Sequence, residues 1–78
     1  MASDAPQFYV QIGAFGVIGN ATALQARILD LVYAPVQLAQ GDGVNRVQVG
    51  PFFSKEDADK VADILRERDL GTPIVITR

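Results

Sequence analysis

The sequence contains no cysteine and no histidine. Their absence excludes thiolate nucleophiles, disulfides, Cys/His metal sites and an imidazole general base. The carboxylates concentrate on one amphipathic segment in the second half, with no apolar pocket predicted around them of the kind that acid–base catalysis uses. We therefore expect no catalytic residue, no metal and no cofactor, and we interpret the chain as a binding module.

Basic residues are few, since seven Lys and Arg stand against nine Asp and Glu, for a net charge of −2. This balance argues against nucleic acid, whose binding rests on neutralising phosphates, and leaves a neutral or mildly anionic polymer open. No stretch approaches the ~18 apolar residues of a membrane span, so we expect no membrane insertion. Residues 1–4 lack the parts of a secretory signal, so the targeting segment of any exported parent is expected elsewhere.

A chain of 78 residues has room for one domain, which we expect to be a monomer. Residues 1–6 are mostly small and polar, end in Pro, and are predicted to form a flexible lead. Residues 7–78 are predicted to form the domain.

The most informative feature is an internal repeat, Tyr9–Phe15 (YVQIGAF) and Arg46–Phe52 (RVQVGPF). Both copies alternate apolar and polar residues, as half-buried strands do. Each copy is followed by a segment of helical period, such as Leu24, Ile28 and Leu31 in the first. The chain is therefore predicted to be two unequal repeats of strand, helix and strand.

Local signals set the predicted element bounds. Asn20 and Ser54 are predicted N-caps, Pro35 ends the first helix, and Gly41-Asp42-Gly43 is predicted to close a hairpin. The predicted elements are strands at about Phe8 to Ala14, Val36 to Gln40, Arg46 to Pro51 and Ile74 to Thr77, with helices at about Ala21 to Tyr33 and Lys55 to Asp69.

Right-handed crossovers would place both helices on one face of a single sheet. The predicted fold class is α+β, a ferredoxin-like (RNP-like) βαββαβ arrangement with a four-stranded antiparallel sheet in the order 4-1-3-2. Strands one and three, which carry the repeat, would then be central neighbours. The predicted core consists of Val10, Ile12, Leu24, Ile28, Val47, Val49, Val61, Leu65 and Ile76.

Strict alternation sends several side chains to the uncovered side of this sheet. Tyr9 offers a ring face and a hydroxyl, and the amides of Gln11 and Gln48 can bond hydroxyl and N-acetyl groups, which together suit a carbohydrate. These residues could equally be the wet side of an antiparallel sheet. Arg46 could bond a ligand carbonyl or carboxylate, or could pair with Asp42 across the turn.

Phe15 and Phe52 point to the same uncovered side if alternation is strict. Each follows a Gly at a strand end, however, where a bulge can reverse the side that a residue faces. Packing against the core or the sheet edge is the interpretation we favour for both.

The repeat resembles the SPOR (sporulation-related repeat) domain family, with Ala23-Leu24 and Ala58 as further matching positions. The resemblance covers roughly Phe8 to Thr77. It implies a non-catalytic module that binds peptidoglycan glycan strands lacking stem peptides and directs a parent envelope protein to the division septum, in the periplasm. The residues that alternation directs outward, and that are predicted to bind this glycan, are Tyr9, Gln11, Gly13, Arg46, Gln48, Val75 and Thr77.

An alternative from another class is an RNA-recognition module for single-stranded RNA, which has the same element order and stacks bases on its central strands. The acidic charge counts against it, as does the absence of a basic-aromatic run in strand three.

Overall fold

A computed structural model describes residues 6–78 of the chain, so that residues 1–5 of the predicted lead lie outside it. The elements follow the predicted order of strand, helix, strand, strand, helix, strand. None of the helices within the described part is long and apolar enough to cross a membrane. The element bounds are β1 Phe8–Phe15, α1 Ile18–Leu29, β2 Val36–Gly41, β3 Val44–Phe52, α2 Lys55–Glu67 and β4 Ile74–Thr77.

The four strands form one antiparallel sheet in the order β2-β3-β1-β4. Read from the other edge this is the predicted 4-1-3-2, with the two repeat strands paired in the centre. Residues from both helices join strand residues in a single core cluster, which places both helices on one face of the sheet. The predicted fold class is confirmed.

The core lies between the sheet and the two helices. Of the nine predicted core residues, six are fully buried there and Leu24 and Val61 are half-buried against them. Burying such aliphatic side chains contributes roughly 1.5–3 kcal/mol each to folding. The six buried residues are Val10, Ile12, Ile28, Val47, Val49 and Leu65.

Ile76 is the exception, and the register of β4 explains why. Val10, a core residue, pairs with Val75, and directly opposed residues in an antiparallel sheet share a face. Val75 therefore packs against the core, while Ile74 and Ile76 lie on the other side. The sequence predicts Ile74 and Ile76 to face inward and Val75 and Thr77 outward, and all four directions are wrong. A strand of four residues without a charged side chain gives alternation nothing to distinguish its two sides.

Each central strand contains a bulge at the glycine of its repeat. Gln11 pairs with Gln48 and Gly13 with Val47, so β1 has one extra residue there. Val10 pairs with Val49 and Phe8 with Phe52, so β3 has an extra residue near Gly50.

These bulges reverse the side that the following residues face. Phe15 and Phe52 both pack against the core, as the favoured interpretation has it. Ala14, which strict alternation places in the core, is exposed instead.

The first helix begins earlier and ends earlier than predicted. Val17 occupies the N-cap position without a side-chain bond, and Asn20 lies inside the first turn. At the other end, the N–H groups of Leu31 and Val32 both donate to Ile28 O, which closes the helix before Pro35 is reached. Pro35 accordingly ends the connecting loop rather than the helix.

The hairpin between β2 and β3 has the predicted turn. Asp42 and Gly43 both have positive φ, 53° and 78°, as the two central residues of a type I′ turn require. Gly41 and Val44 form the last pair of the ladder. The turn fixes the register of β3 against β2, and with it the side on which Arg46 and Gln48 lie.

Candidate functional site on the open sheet face

The side of the sheet opposite the helices, here called the open face, is built by cross-strand pairs. In the centre Gln11 of β1 lies between Gln48 of β3 and Ile74 of β4, and Tyr9 lies beside Ile76. Beyond the bulge Ala14 lies opposite Arg46. The residues directed to the open face are Tyr9, Gln11, Ala14, Gln37, Ala39, Arg46, Gln48, Ile74 and Ile76.

Four of the seven predicted site residues are on this face, namely Tyr9, Gln11, Arg46 and Gln48. The predicted direction of the other three is wrong. Gly13 comes after the bulge and is opposite the buried Val47, where an added Cβ would lie 3.2 Å from the Phe15 ring. Val75 and Thr77 are opposite Val10 and Phe8 on the helix side.

Gln48 is buried although it belongs to the open face, with 2% of its surface exposed. Its Nε2 donates to Gln11 Oε1 at 3.2 Å, and its Oε1 accepts from Arg78 Nη2 at 3.4 Å. Both ends of this amide are therefore bonded within the protein. Gln48 supports its neighbours and does not offer the free amide that the sequence predicts.

Tyr9 is likewise covered more than alternation alone predicts. The Arg78 guanidinium lies over its ring, with Cζ 4.8 Å from the centroid, and 9% of the residue is exposed. The backbones of Gln7 and Arg78 exchange two hydrogen bonds, of 2.9 and 2.8 Å, which continue the β1–β4 pairing past Thr77. Arg78 is thus held on the open face at both its main chain and its side chain.

Arg46 has a different setting. It is half-buried and is flanked across the sheet by Ala14 and Ala39, whose methyl side chains cannot form hydrogen bonds with its guanidinium. No ion pair joins Arg46 to Asp42. The predicted alternative of a salt bridge across the turn is therefore not formed.

Sequence reasoning missed Arg78, Ile74 and Ile76 as open-face residues. Ile74 is 49% exposed and Ile76 half-buried, so the two supply apolar surface beside the polar centre. The alternation of β4 could have identified all three. If Val75 is assigned to the core, Ile74, Ile76 and Arg78 fall on the open face.

Within residues 6–78, no three His, Cys, Asp or Glu side chains cluster as a metal site would need. Three of the five α2 carboxylates instead form surface ion pairs along their own helix, Lys55–Asp59, Lys60–Glu56 and Arg66–Asp63. Such exposed pairs contribute about 0–1 kcal/mol to stability. The open face carries cationic, amide and aliphatic groups, a surface that can bind and orient a ligand.

A sequence model described as "SPOR domain" matches residues 4–77. The chain belongs to the SPOR domain family, as its paired motifs indicated. Its motif order is also similar to that of the C-terminal module of rare lipoprotein A.

Known relatives agree with this membership. Endolytic peptidoglycan transglycosylase RlpA of Pseudomonas aeruginosa is 29% identical over 76 residues, covering 92% of this chain and 22% of RlpA. The crystal structure of the RlpA SPOR domain from Pseudomonas aeruginosa matches with a TM-score of 0.81 and 29% identity, covering 88% of this chain and 96% of that one.

A second solved structure is the solution structure of the peptidoglycan binding domain of the B. subtilis cell wall lytic enzyme CwlC. It matches with a TM-score of 0.84 and 32% identity, covering 100% of this chain and 96% of that one. This chain thus corresponds to one domain of such proteins, since it spans 22% of the curated relative RlpA.

Proposed function

We propose that this domain binds peptidoglycan glycan strands that lack stem peptides, and that it thereby directs a parent envelope protein to the division septum. Family membership and the likeness to the peptidoglycan binding domain of CwlC support the ligand class. The observation that carries the proposal is the open face itself. There a bonded amide pair, Gln11 and Gln48, lies between the cation of Arg46 and the aliphatic side chains of Ile74 and Ile76.

This combination suits a polysaccharide. The C–H faces of sugar rings can lie on the aliphatic surface of Ile74 and Ile76, while hydroxyl and N-acetyl oxygens accept hydrogen bonds from Gln11 and Arg46. Tyr9, whose ring is largely covered, would act mainly through its position beneath Arg78.

The preference for glycan without stem peptides follows from the shape of the face. A sheet with strands ~4.8 Å apart offers a shallow platform, so a sugar chain must lie close to the side chains to bury enough area. Peptides branching from the lactyl groups would hold parts of the strand away. Their removal exposes the sugar faces and leaves free lactyl carboxylates near a surface that carries arginines.

Calorimetry with matched peptidoglycan tetrasaccharides, with and without stem peptides, tests the proposal directly. We expect measurable binding of the bare tetrasaccharide and at least about tenfold weaker binding of the peptide-bearing one. Equal affinities would contradict the steric argument, and no binding of either would contradict the ligand class. Septal localisation of a fluorescent fusion, and its loss when septal amidases are deleted, tests the targeting role.

Single-stranded RNA is a less favoured ligand. RNA-recognition surfaces stack bases on exposed aromatic rings, and Tyr9 on this face is 9% exposed beneath Arg78. An oligonucleotide titration alongside the glycans provides the comparison, and tighter binding of RNA than of bare glycan would reverse the assignment.

The module is proposed to be non-catalytic, with any lytic activity belonging to other parts of a parent protein in the periplasm. Incubating the domain with sacculi and measuring released muropeptides tests this, because a binding module alone should release none above background.

A further inference from the structure

Arg78 is a residue that the proposed function leaves without a role. Two backbone bonds to Gln7 anchor it beside β1, the Tyr9 ring lies beneath its guanidinium, and its Nη2 donates to Gln48 Oε1. With its main chain anchored and its guanidinium in two contacts, Arg78 has lost much of its freedom before a ligand arrives. It therefore pays less conformational entropy on binding than a free surface arginine.

The donor and acceptor in the hydrogen bond between the side chains of Arg78 and Gln48 are fixed by chemistry. Arginine carries N–H donors and no acceptor, so the Gln48 atom that faces it must be the amide oxygen. The amide NH₂ of Gln48 then faces Gln11 and donates to Oε1 of that residue. Gln11 in turn is left with its own NH₂ group directed away from Gln48.

We infer that Arg78, Gln48 and Gln11 form a polarised relay that makes the centre of the open face a set of hydrogen-bond donors, and that Arg78 binds a carboxylate of the glycan. The inference rests on the proposed function. It makes Gln48 a positioning residue, and it makes Arg78 the cation that recognises the acidic group of the sugar chain.

Two features favour Arg78 over Arg46 for this role. Arg78 is fixed by its contacts with Tyr9 and Gln48, whereas Arg46 is flanked by alanines that do not hold it. Ile76 lies opposite Tyr9, so a sugar ring on that isoleucine would have its acidic substituent within reach of Arg78. The contact with Gln48 does not prevent this role, because the Arg78 guanidinium keeps unused donors for the paired oxygens of a carboxylate.

The first test varies the charge of protein and ligand together. Two tetrasaccharides without stem peptides are compared by calorimetry, one with free lactyl carboxylates and one with these converted to neutral methyl amides. Arg78→Gln should weaken binding of the acidic glycan about tenfold and of the neutral glycan less than about twofold. Arg46→Gln makes the same charge change on the same face and should show a smaller carboxylate-dependent loss.

The outcomes separate the inference from the function on which it rests. If the unaltered protein binds neither glycan, the proposed function fails. Suppose instead that the unaltered protein binds the acidic glycan and that Arg78→Gln binds both glycans with the same affinities as the unaltered protein. Only the role of Arg78 is then overturned. An equal loss on the two glycans, or a larger carboxylate-dependent loss in Arg46→Gln, also overturns it.

The second test reverses the relay. Gln48→Glu places a carboxylate, which only accepts hydrogen bonds, at position 48. The bond from Arg78 is kept, but Gln11 must now donate its NH₂ group to residue 48 and present its amide oxygen to the ligand. We expect an unchanged or higher melting temperature with about tenfold weaker binding of the neutral glycan. Gln37→Glu is the matched control, because Gln37 is exposed beside Gln48 on the same face and outside the relay.

Exchange of side-chain amide protons reports the relay without any ligand. In the unaltered protein the Gln48 NH₂ should be protected and the Gln11 NH₂ unprotected, and in Gln48→Glu the Gln11 NH₂ should become protected. If the protection of the Gln11 NH₂ does not change in Gln48→Glu, the proposed polarity of the relay is overturned. Equal losses of affinity for the neutral glycan in Gln37→Glu and Gln48→Glu would also overturn it.

Discussion

Gly50 shows how one residue determines the direction of others. Its φ is 140°, a region that disfavours side chains, and a Cβ there would lie 3.0 Å from Phe8 O and 3.1 Å from Tyr9 Cδ1. The bulge at this position turns Phe52 into the core and leaves the Tyr9 ring close against the strand. The glycine of the repeat is therefore a requirement of both the core and the open face.

Gly50→Ala is expected to lower the free energy of unfolding by about 1–3 kcal/mol, through backbone strain and the contact with Phe8 O. Glycan affinity should fall as well, because the added methyl group would displace the Tyr9 ring that supports Arg78. Chemical denaturation and calorimetry measure the two effects. Gly16→Ala is the control, since it has no positive φ and no neighbour within 4 Å of the added Cβ. Similar stability of the two variants would contradict the bulge geometry.

At the scale of elements, the two helices begin in different ways. Ser54 caps α2, with its Oγ accepting from the Asp57 N–H at 3.1 Å, and Glu56 and Asp57 lie in the first turn near the positive end of the helix dipole. The start of α1 has no side-chain cap and no acidic residue in its first turn. Local capping thus specifies α2, whereas packing of Ala21 and Ile28 into the core determines where α1 lies.

Ser54→Ala should destabilise the domain by about 1 kcal/mol, because an N–H of the first turn of α2 loses its acceptor. Ser54→Asp keeps an acceptor at the same place and should stay close to the unaltered protein. Thermal and urea denaturation measure the difference, and equal stabilities of the Ala and Asp variants would show that the cap contributes nothing. Glycan affinity should be unchanged in both, because the helix lies on the opposite side of the sheet from the proposed site.

For the whole molecule, the distribution of charge matters more than its sum. The net charge is −2, yet the ion-paired carboxylates of α2 lie on the helix side, and the described residues assigned to the open face include no Asp or Glu. Arg46 and Arg78 add positive charge to that face. The molecule therefore combines a weak overall repulsion of an anionic polymer with a local attraction at the site.

We expect added salt to weaken glycan binding only mildly, by less than about threefold between 50 and 300 mM. Screening reduces the attraction of the two arginines but also the repulsion by the net negative charge, and the Debye length is already about 10 Å at 0.1 M. Calorimetry across this range measures the dependence. A steep loss of affinity would show that charge, and not steric fit, dominates recognition, and it is the pattern that a nucleic-acid ligand would give.

Much of the fold could be predicted from the sequence because its signals are local. The period of Ala21, Leu24 and Ile28 identifies a helix, Asp42-Gly43 a hairpin, and Ser54 a helix start. The repeat of two strands then allowed few topologies, and right-handed connections selected the one observed. The family followed from the same two motifs.

The composition of the open face was decided only by tertiary structure. Bulges turned Gly13, Phe15 and Phe52 to the helix side, and pairing with β1 put Val75 inward and Ile76 outward. The side that a strand residue faces depends on its register with another strand, and an offset of one residue reverses it.

The relay at the site has the same origin. Gln48 bonds Gln11 across 37 positions of sequence and Arg78 across 30, and no local pattern records such partners. The sequence by itself determined which elements form and in what order they pair. Tertiary packing decided which polar groups bond one another and which remain free for a ligand, because those contacts join strands that are distant in the chain.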